Sequence, residues 1–363
     1  MVDKADNMPT EAAMQASLES IVDPEIGRSL GELKMLAGVH LAGETVSVTV
    51  DLPTPAYPGR ERITEAIHAA IAASFPNAPA VDVTYTSTVR GRESGGAVGL
   101  RVKNIIAVGS GKGGVGKSTV AAALAFGLQS YGAVVGLMDA DVYGPSLPHL
   151  VGVTDAKPAA IDQKTAEGET FTRIEPVIAD GVKVISMGFF VEPEKAVVWR
   201  GPMLHRAITQ FLTQTDWGEL DYLIIDMPPG TGDVSLTLSQ SVPLAGAVVV
   251  CTPQQVALLD AVKAINMFQQ VKIPVLGMVE NMSGDIFGRG GAQVKAEELG
   301  VPFLGELPIE TEIRVRGDAG RIASLLADDN PTRAALQHIT EQTAIQVARE
   351  VLATPQMPTL EVL

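Results

Sequence analysis

The segment GSGKGGVGKST at residues 109–119, called the phosphate loop below, constrains the fold of this chain more than any other feature. The apolar run 105–108 precedes it, and apolar residues recur at helical spacing from Val120 to Leu128. A strand that leads into a glycine loop, which then opens a helix, is typical of phosphate-binding sites in α/β proteins. The sequence therefore predicts an α/β fold with a doubly wound, mostly parallel sheet.

The phosphate loop matches the pattern GxxxxGK[ST] from Gly111 to Ser118. Its glycines let successive backbone N–H groups converge on phosphate oxygens, and the helix N-terminus adds partial positive charge. Lys117 is expected to reach the β and γ phosphates of ATP, and the Ser118 hydroxyl to bind Mg²⁺. The predicted nucleotide-binding residues of this loop are Gly111, Lys112, Gly113, Gly114, Val115, Gly116, Lys117, Ser118 and Thr119.

A second lysine, Lys112, follows the first glycine of this pattern. It lies on the far side of the phosphates from Lys117, and we expect it to point outward from its own site. There its charge could act on the nucleotide of a partner subunit, as an arginine finger does. This interpretation predicts a homodimer with a catalytic Lys112; the alternative is a solvated lysine.

The buried run LDYLIID ends at Asp226 and is followed by MPPGTGD. A carboxylate at the carboxyl end of a strand beside the phosphate loop can hold the Mg²⁺ shell, usually through water. The alternative for Asp226 is a capping carboxylate. Gly230 is predicted to present its N–H to the γ phosphate and to act as the hinge of a switch loop.

Another apolar run, Val134 to Met138, ends at Asp139-Ala140-Asp141. One carboxylate near the metal and one aimed at the attacking water would explain this pair. We assign Asp139 to the Mg²⁺ shell and Asp141 to the catalytic water. Spacing alone leaves that division open, and Asp141 could instead cap the following VYGPS turn.

The rest of the chain divides by pattern. Residues 1–90 predict a small α+β domain, 91–100 a Gly-rich linker, 101–351 the ATPase domain and 352–363 a flexible tail. The small domain is expected to contain Glu11 to Val22 (helix), Thr45 to Leu52 (strand), Arg60 to Phe75 (helix) and Val81 to Tyr85 (strand). The ATPase domain is expected to contain a last helix, Thr332 to Val351, and the buried strands Ile105 to Val108, Val134 to Met138, Tyr222 to Ile225, Ala247 to Val250 and Val275 to Val279.

Composition limits the partners and the location. The formal net charge of -15 repels polyphosphate backbones and anionic lipid, so we expect neither nucleic acid nor membrane as a partner. No apolar stretch reaches the roughly 18 residues of a membrane span, and the first residues lack the order of a signal peptide, which favours a cytoplasmic protein. The single cysteine, Cys251, excludes an intrachain disulfide and a metal site built only from cysteines of one chain.

With these elements in place, the chain resembles the Mrp family, the ApbC-type iron-sulfur cluster carriers, within the group that includes MinD, ParA and the nitrogenase iron protein. The N-terminal segments IVDPEI and DLPTPAYPG resemble the small domain that bacterial members carry ahead of the ATPase. The stretches that carry the ATPase resemblance lie in residues 101–325 and are GSGKGGVGKST, MDADVYGPSLPHLVG, VWRGPM, WGELDYLIIDMPPGTGD, TPQQVALLDAVKAI, GMVENMSG, IFGRGG and GELPIETEIRVRGDAG.

The resemblance implies a slow, dimer-dependent ATPase that acts in iron-sulfur cluster assembly or transfer, with assembly or recipient proteins as partners. It also implies that Asn281 hydrogen-bonds the adenine base and that the LPIE stretch at 307–310 flanks it. Taken from the residues alone, Asn281 is an amide at the carboxyl edge of a sheet, which could equally cap a turn.

The sequence departs from the family at the cluster ligands. The family's loop after ENMS normally holds a Cys-x-x-Cys pair, which gives a dimer four thiolates for one [4Fe-4S] cluster. Here the chain runs NMSGDIFGRGG without a cysteine, and Tyr57 stands at the usual cysteine of the N-terminal domain. Cys251 is either an inert core thiol or one of two thiolates per dimer. The resemblance implies a cluster, but the chain lacks its usual ligands.

Two other functions fit the same motifs. A positioning ATPase like MinD or ParA needs a basic tail or surface for a membrane or nucleoid, whereas residues 340–363 contain one arginine and no lysine. A nucleotide-held scaffold with negligible turnover is compatible with every motif, and a measured turnover number separates it from an ATPase.

Overall fold

A computed structural model of the chain describes residues 10–42, 45–91, 100–164, 170–190, 201–230 and 232–353. Most of the expected linker at 91–100 and of the expected tail at 352–363 lies outside these ranges. The chain divides into two compact units, one within Met1–Arg90 that also takes in the last residues from Val351, and one within Gly91–Glu350.

The first unit is a small α+β domain, as predicted. Strand β1 pairs antiparallel with β2, and β2 pairs parallel with β3. Sequence analysis missed β1 because a glycine and a register shift interrupt its alternation. The elements are α1 (Glu11–Glu19), β1 (Leu36–Ala42), β2 (Thr45–Leu52), α2 (Arg60–Ser74) and β3 (Ala80–Ser87).

The second unit alternates strands and helices. Its strands are β4 (Arg101–Gly109), β5 (Val135–Asp139), β6 (Ala159–Lys164), β7 (Thr170–Glu175), β8 (Val177–Ala179), β9 (Val182–Ser186), β10 (Glu219–Asp226), β11 (Gly246–Cys251), β12 (Val275–Ser283) and β13 (Phe303–Pro308). Its helices are α3 (Lys117–Ser130), α4 (Leu147–Leu150), α5 (Gly201–Gln214), α6 (Gly232–Ser241), α7 (Gln255–Gln270), α8 (Gly291–Leu299), α9 (Thr311–Asp318), α10 (Ser324–Ala327) and α11 (Arg333–Ala353).

Eight of these strands form the main sheet in the order β13-β12-β11-β4-β10-β5-β9-β8, parallel throughout except at the β8 edge. The predicted doubly wound, mostly parallel sheet is therefore confirmed. All five predicted strand runs fall in it, whereas β8, β9 and β13 were not predicted. The central strands are buried on both faces, which accounts for their continuous apolar runs.

The order of the strands fixes where a ligand can bind. From β4 the chain proceeds to β5 and β10 on one side of the sheet, and later to β11 and β12 on the other. Ligands of such sheets bind outside the carboxyl ends of the strands at the point where the order reverses. That point is the end of β4, where the phosphate loop begins. Among the described residues, no helix is long and apolar enough to cross a membrane.

Candidate nucleotide site

The phosphate loop joins β4 to α3, and side chains at Gly111 and Gly116 would collide with neighbouring atoms. Gly116 caps α3 with a φ of +78°, and a Cβ atom there would lie 2.1 Å from Asn281 Nδ2. A Cβ atom on Gly111 would lie 2.0 Å from the carbonyl oxygen of Asp260 in α7. The loop backbone is therefore packed against β12 and α7, and its N–H groups lie at the helix N-terminus, where anions bind.

Lys117, the first residue of α3, is buried at the centre of the site. Its ammonium donates a hydrogen bond to Asp226 Oδ1 at 2.5 Å and to Ser118 Oγ at 3.3 Å. Asp141 Oδ2 lies 3.7 Å from the same nitrogen. The structure thus brings the predicted lysine and hydroxyl together with two of the predicted carboxylates, and their roles toward a nucleotide stay predictions.

Asp226 is fully buried at the end of β10, and only one of its oxygens is used. Oδ1 pairs with Lys117, while Oδ2 accepts no hydrogen bond from the described part of the chain. Burial raises the pKa of this carboxyl, and the charge of Lys117 together with the hydrogen bonds of Lys117 and Ser118 lowers it. An unpaired buried carboxylate oxygen is costly, and it fits a water of an Mg²⁺ shell. No backbone N–H of the described residues donates to this side chain, and its place in the Mg²⁺ shell stays a prediction.

Asp139 stands beside Asp226 in register on the neighbouring strand. Burial and the Asp226 charge raise the pKa of Asp139 to about 8. Its Oδ2 accepts from Ser186 Oγ at 2.9 Å and from the N–H of Leu147 at 3.3 Å, and its Oδ1 accepts from the N–H of Asp141 at 3.1 Å. Protein donors therefore occupy both oxygens, and the place of Asp139 in the Mg²⁺ shell stays a prediction.

Ser186 was not singled out from the sequence. It ends β9, whose carboxyl end lies at the same sheet edge as that of β5, because Asp139 and Ser186 are register partners. The signal was a serine at the end of the segment VKVIS, but β9 itself had not been predicted.

Asp141 does two things at once. Its Oδ1 accepts from the N–H groups of Tyr143 at 3.2 Å and Gly144 at 3.3 Å, so it caps the following turn, as one interpretation held. Its Oδ2 faces Lys117 at the site. The two interpretations are compatible, and the role of Asp141 toward the catalytic water stays a prediction.

Gly230 and Lys112 are two further predicted residues around the phosphate loop. The N–H of Gly230, at a φ of +69°, donates to the carbonyl oxygen of Ser110 at 3.1 Å, so contact with a γ phosphate requires this bond to open. Lys112 is half-buried, and its ammonium forms no ion pair with the residues that the structure describes. Both predicted roles remain predictions.

Asn281, near the end of β12, contacts the phosphate loop directly. Its Nδ2 donates to the carbonyl oxygen of Val115 at 2.8 Å. The amide therefore offers its Oδ1 as an acceptor and the second N–H of Nδ2 as a donor to a further ligand. Sequence reasoning missed this contact with the loop, and the predicted hydrogen bond from adenine stays a prediction.

A cavity of about 620 Å³ opens beside this amide, within the range of small-molecule sites. It includes Thr119 of the phosphate loop and residues 308–310 of the LPIE stretch, which were expected to flank a base. The lining residues are Thr119, Leu150, Asn281, Met282, Ile286, Pro308, Ile309, Glu310, Thr311, Ile313, Arg314, Gly317 and Asp318.

The loop where the family holds its cysteines is a tight turn here. Gly284 and Gly288 exchange two backbone hydrogen bonds of 2.8 Å. Buried Glu280 accepts from the N–H groups of Gly290 and Ala292, both at 2.7 Å, and so caps the start of α8. The turn is therefore short and fixed at both ends.

The only thiol lies elsewhere. Cys251 is buried at the end of β11, and burial, with the nearby Glu280 carboxylate, raises its pKa to about 12. A protonated core thiol is a poor ligand for iron, so these residues do not fit an iron-sulfur cluster. No group of three or more His, Cys, Asp or Glu side chains within the described ranges is arranged to hold a metal alone. An Mg²⁺ site completed by phosphate oxygens and water does not need one.

Two family models match the chain. Residues 101–344 match the model described as NUBPL iron-transfer P-loop NTPase. Residues 11–84 match a model described as iron-sulfur cluster assembly protein. The first model alone spans more than half of the chain.

Curated relatives match along nearly the whole length. An iron-sulfur cluster carrier protein of Synechocystis sp. is 46% identical, with 95% of this chain and 100% of that protein covered. One of Escherichia coli is 38% identical, with 93% of this chain and 92% of that protein covered.

One solved structure is similar to this chain in both sequence and fold. The nucleotide-binding protein of Archaeoglobus fulgidus in complex with ADP is 39% identical and superimposes with a TM-score of 0.53. The match covers 64% of this chain and 91% of that one. Nucleotide binding and hydrolysis by this fold agree with the phosphate loop, Lys117 and Asp226 described above. The chain therefore belongs to the NUBPL iron-transfer family of P-loop NTPases, the family of the iron-sulfur cluster carrier proteins that its sequence resembles.

Proposed function

We propose that this protein is a slow, dimer-dependent ATPase that acts in iron-sulfur cluster assembly or transfer. The observation that carries the proposal is the buried Lys117–Asp226 pair at the mouth of the phosphate loop. One oxygen of Asp226 is left for a ligand shell. The names of the curated relatives and of both family models support the link to iron-sulfur clusters.

The site supports ATP and Mg²⁺ as its cofactors. Lys117 would exchange part of its contact with the carboxylates for the β and γ phosphates, and Ser118 with Asp226 would hold the Mg²⁺ shell. Mg²⁺ supplies charge neutralisation on the phosphate oxygens when bound. Asp141, which faces Lys117, orients the attacking water.

The base is the second part of the proposal. The bond to Val115 orients the Asn281 amide and leaves it one acceptor, Oδ1, and one donor, the second N–H of Nδ2. This pair matches the C6 amino group and N7 of adenine, whereas guanine presents two acceptors along the same edge. The fixed amide therefore favours ATP over GTP.

The homodimer follows from Lys112. This ammonium lies on the phosphate loop without an ion-pair partner among the described residues of its own chain. We assign it to the phosphates of a second copy, where a cation stabilises charge in the transition state. Turnover then depends on protein concentration.

Cluster chemistry is assigned to a partner. The cluster is the cargo in this proposal, and a single protonated Cys251 per chain does not supply its thiolates. An iron-sulfur assembly or recipient protein therefore supplies them, and ATP hydrolysis changes how this chain binds that partner.

The test is phosphate release measured with MgATP, MgGTP and metal-free ATP over a range of protein concentrations. We expect Mg²⁺-dependent turnover, a preference for ATP, and a specific activity that rises with concentration until the dimer saturates. Tight binding of MgATP with negligible turnover at every concentration would contradict the enzyme and leave a nucleotide-held scaffold. Lys117→Ala is the matched control for phosphate released by contaminating enzymes.

A further inference from the structure

The end of β12 places two neighbouring side chains in the same cavity. Asn281 and Met282 both line it, although successive residues of a regular strand point to opposite faces. The pairing of β12 with β13 shifts register between Asn281 and Ser283, and Met282 has a φ of +59°. This irregularity turns both side chains toward the site. Left-handed backbone at a non-glycine residue is strained and is concentrated at functional sites.

Met282 also reaches the phosphate loop. Its methyl carbon, Cε, lies 3.5 Å from the position that a Cβ atom on Gly116 would take. Thr119, three residues after Gly116, lines the same cavity. The cavity therefore begins where the phosphate loop ends, and Met282 lies at that boundary.

The short turn supplies a second apolar group. Ile286 lies at the tip between Gly284 and Gly288 and is 74% exposed, yet it belongs to the cavity lining. The turn is tied to the end of β13, because the N–H of Ile309 donates to the carbonyl oxygen of Ser283 at 2.9 Å. Ile286 therefore offers apolar area at the rim to a ligand that fills the cavity.

We propose that Met282 and Ile286 form an apolar wall against which the base of the bound nucleotide lies. This inference rests on the proposed ATP site and extends it to two residues to which the sequence analysis gives no role. A flat aromatic base suits this wall, since a methionine thioether makes favourable contacts with aromatic rings and an isoleucine gives apolar area. In this chain the turn that follows Asn281 thus contacts the base of the nucleotide.

The test compares ATP with tripolyphosphate, which has the phosphates but neither base nor ribose. Ile286→Ser should weaken MgATP binding about fivefold, and the double variant Met282→Gly, Ile286→Ser about twentyfold or more, because apolar contact with the base is lost. Tripolyphosphate affinity should stay within about twofold in both variants, since the phosphate contacts are unchanged. Val294→Ser, an exposed apolar residue of α8 outside the cavity, is the matched control and should change neither.

A second measurement needs no destabilising substitution at the wall. In protein labelled with ¹³C at the methionine methyl groups, the resonance missing from Met282→Leu identifies Met282. Its ring-current shift on adding MgATP, absent with tripolyphosphate, would support contact with the base. No shift with ATP, or an equal shift with both compounds, would overturn it.

The remaining outcomes separate this inference from the proposed function. Wild-type protein that binds neither compound would overturn both. Equal weakening of ATP and tripolyphosphate in Ile286→Ser, or unchanged ATP affinity in the double variant, would overturn the wall alone. A variant that alters only dimerisation would show that a second copy covers these residues, and it would also overturn the wall.

Discussion

Asp23 in the small N-terminal domain and Asp226 in the ATPase domain are both completely buried, but they are used differently. Asp23 Oδ1 accepts from the N–H groups of Glu25 at 3.0 Å and Ile26 at 2.7 Å, and its Oδ2 accepts from the Tyr57 hydroxyl. Asp226 has Lys117 on one oxygen and no described donor on the other.

The difference separates a structural carboxylate from a binding one. Burial and the bond to Asp23 raise the pKa of Tyr57 far above its ordinary value, so the phenol keeps its proton and remains a donor. The hydrogen bonds of Asp23 therefore fix the chain around it, and neither of its oxygens is left without a donor. Asp226 keeps Oδ2 available for a ligand, although an unpaired buried oxygen destabilises the fold. A satisfied buried carboxylate indicates architecture, and an unsatisfied one beside a lysine indicates a site.

The largest effect is expected from Lys117→Ala. This change removes the charge that holds the β and γ phosphates and leaves the buried Asp226 without its partner. We expect MgATP binding to fall below detection in calorimetry. Circular dichroism must show a folded protein, and unchanged affinity in a folded variant would remove the site assignment.

Lys112→Ala tests the second lysine of the phosphate loop. Its charge is expected to act across the dimer, so nucleotide affinity should be retained while turnover falls on the order of 10³-fold. Phosphate release and calorimetry on the same preparation measure both. Normal turnover would show that Lys112 is only a solvated lysine.

Tyr57→Phe tests whether the role of Asp23 is only structural. Removing the hydroxyl leaves Asp23 Oδ2 without its donor, and we expect the free energy of unfolding of the small domain to fall by about 1–3 kcal/mol. ATP affinity should not change. Thermal unfolding with and without MgATP checks both statements, and a loss of turnover at unchanged stability would mean that Asp23 is more than architecture.

The smallest effect is expected at Cys251, a third buried polar group. Its pKa of about 12 keeps the thiol protonated near neutral pH, so a thiol reagent should label it slowly in folded protein and rapidly after unfolding. Because the thiolate is the reactive form, labelling of folded protein should keep rising with pH past the ordinary thiol pKa, whereas labelling of unfolded protein should level off there.

The same thiol decides whether the protein alone can hold an iron-sulfur cluster. After anaerobic reconstitution with iron and sulfide, we expect no stable [4Fe-4S] cluster in the protein alone, and no difference between wild type and Cys251→Ser. About four irons per dimer, with visible absorbance that disappears in Cys251→Ser, would show that this cysteine binds the cluster after all.

Local sequence was enough for part of this structure. The phosphate loop, Lys117 and Asp226 could be predicted because each follows directly from an apolar run and a loop motif. The Ser186–Asp139 bond and the Asn281–Val115 bond could not, since they depend on which strands are neighbours in the sheet. The Met282 irregularity was equally hidden, because no residue type there calls for a positive φ. Tyr57 was noticed as a replaced cysteine, but its partner Asp23 lies 34 positions away.

The contact between Gly111 and Asp260 limits how this loop can change. A Cβ atom at position 111 would lie 2.0 Å from a backbone carbonyl, which cannot rotate away as a side chain can. Loop and α7 are thus in backbone contact with no compressible group between them. Any displacement of the loop toward α7 must therefore move the helix as well. The exposed side chains of Val256 and Leu259 on that helix would then change position at the protein surface.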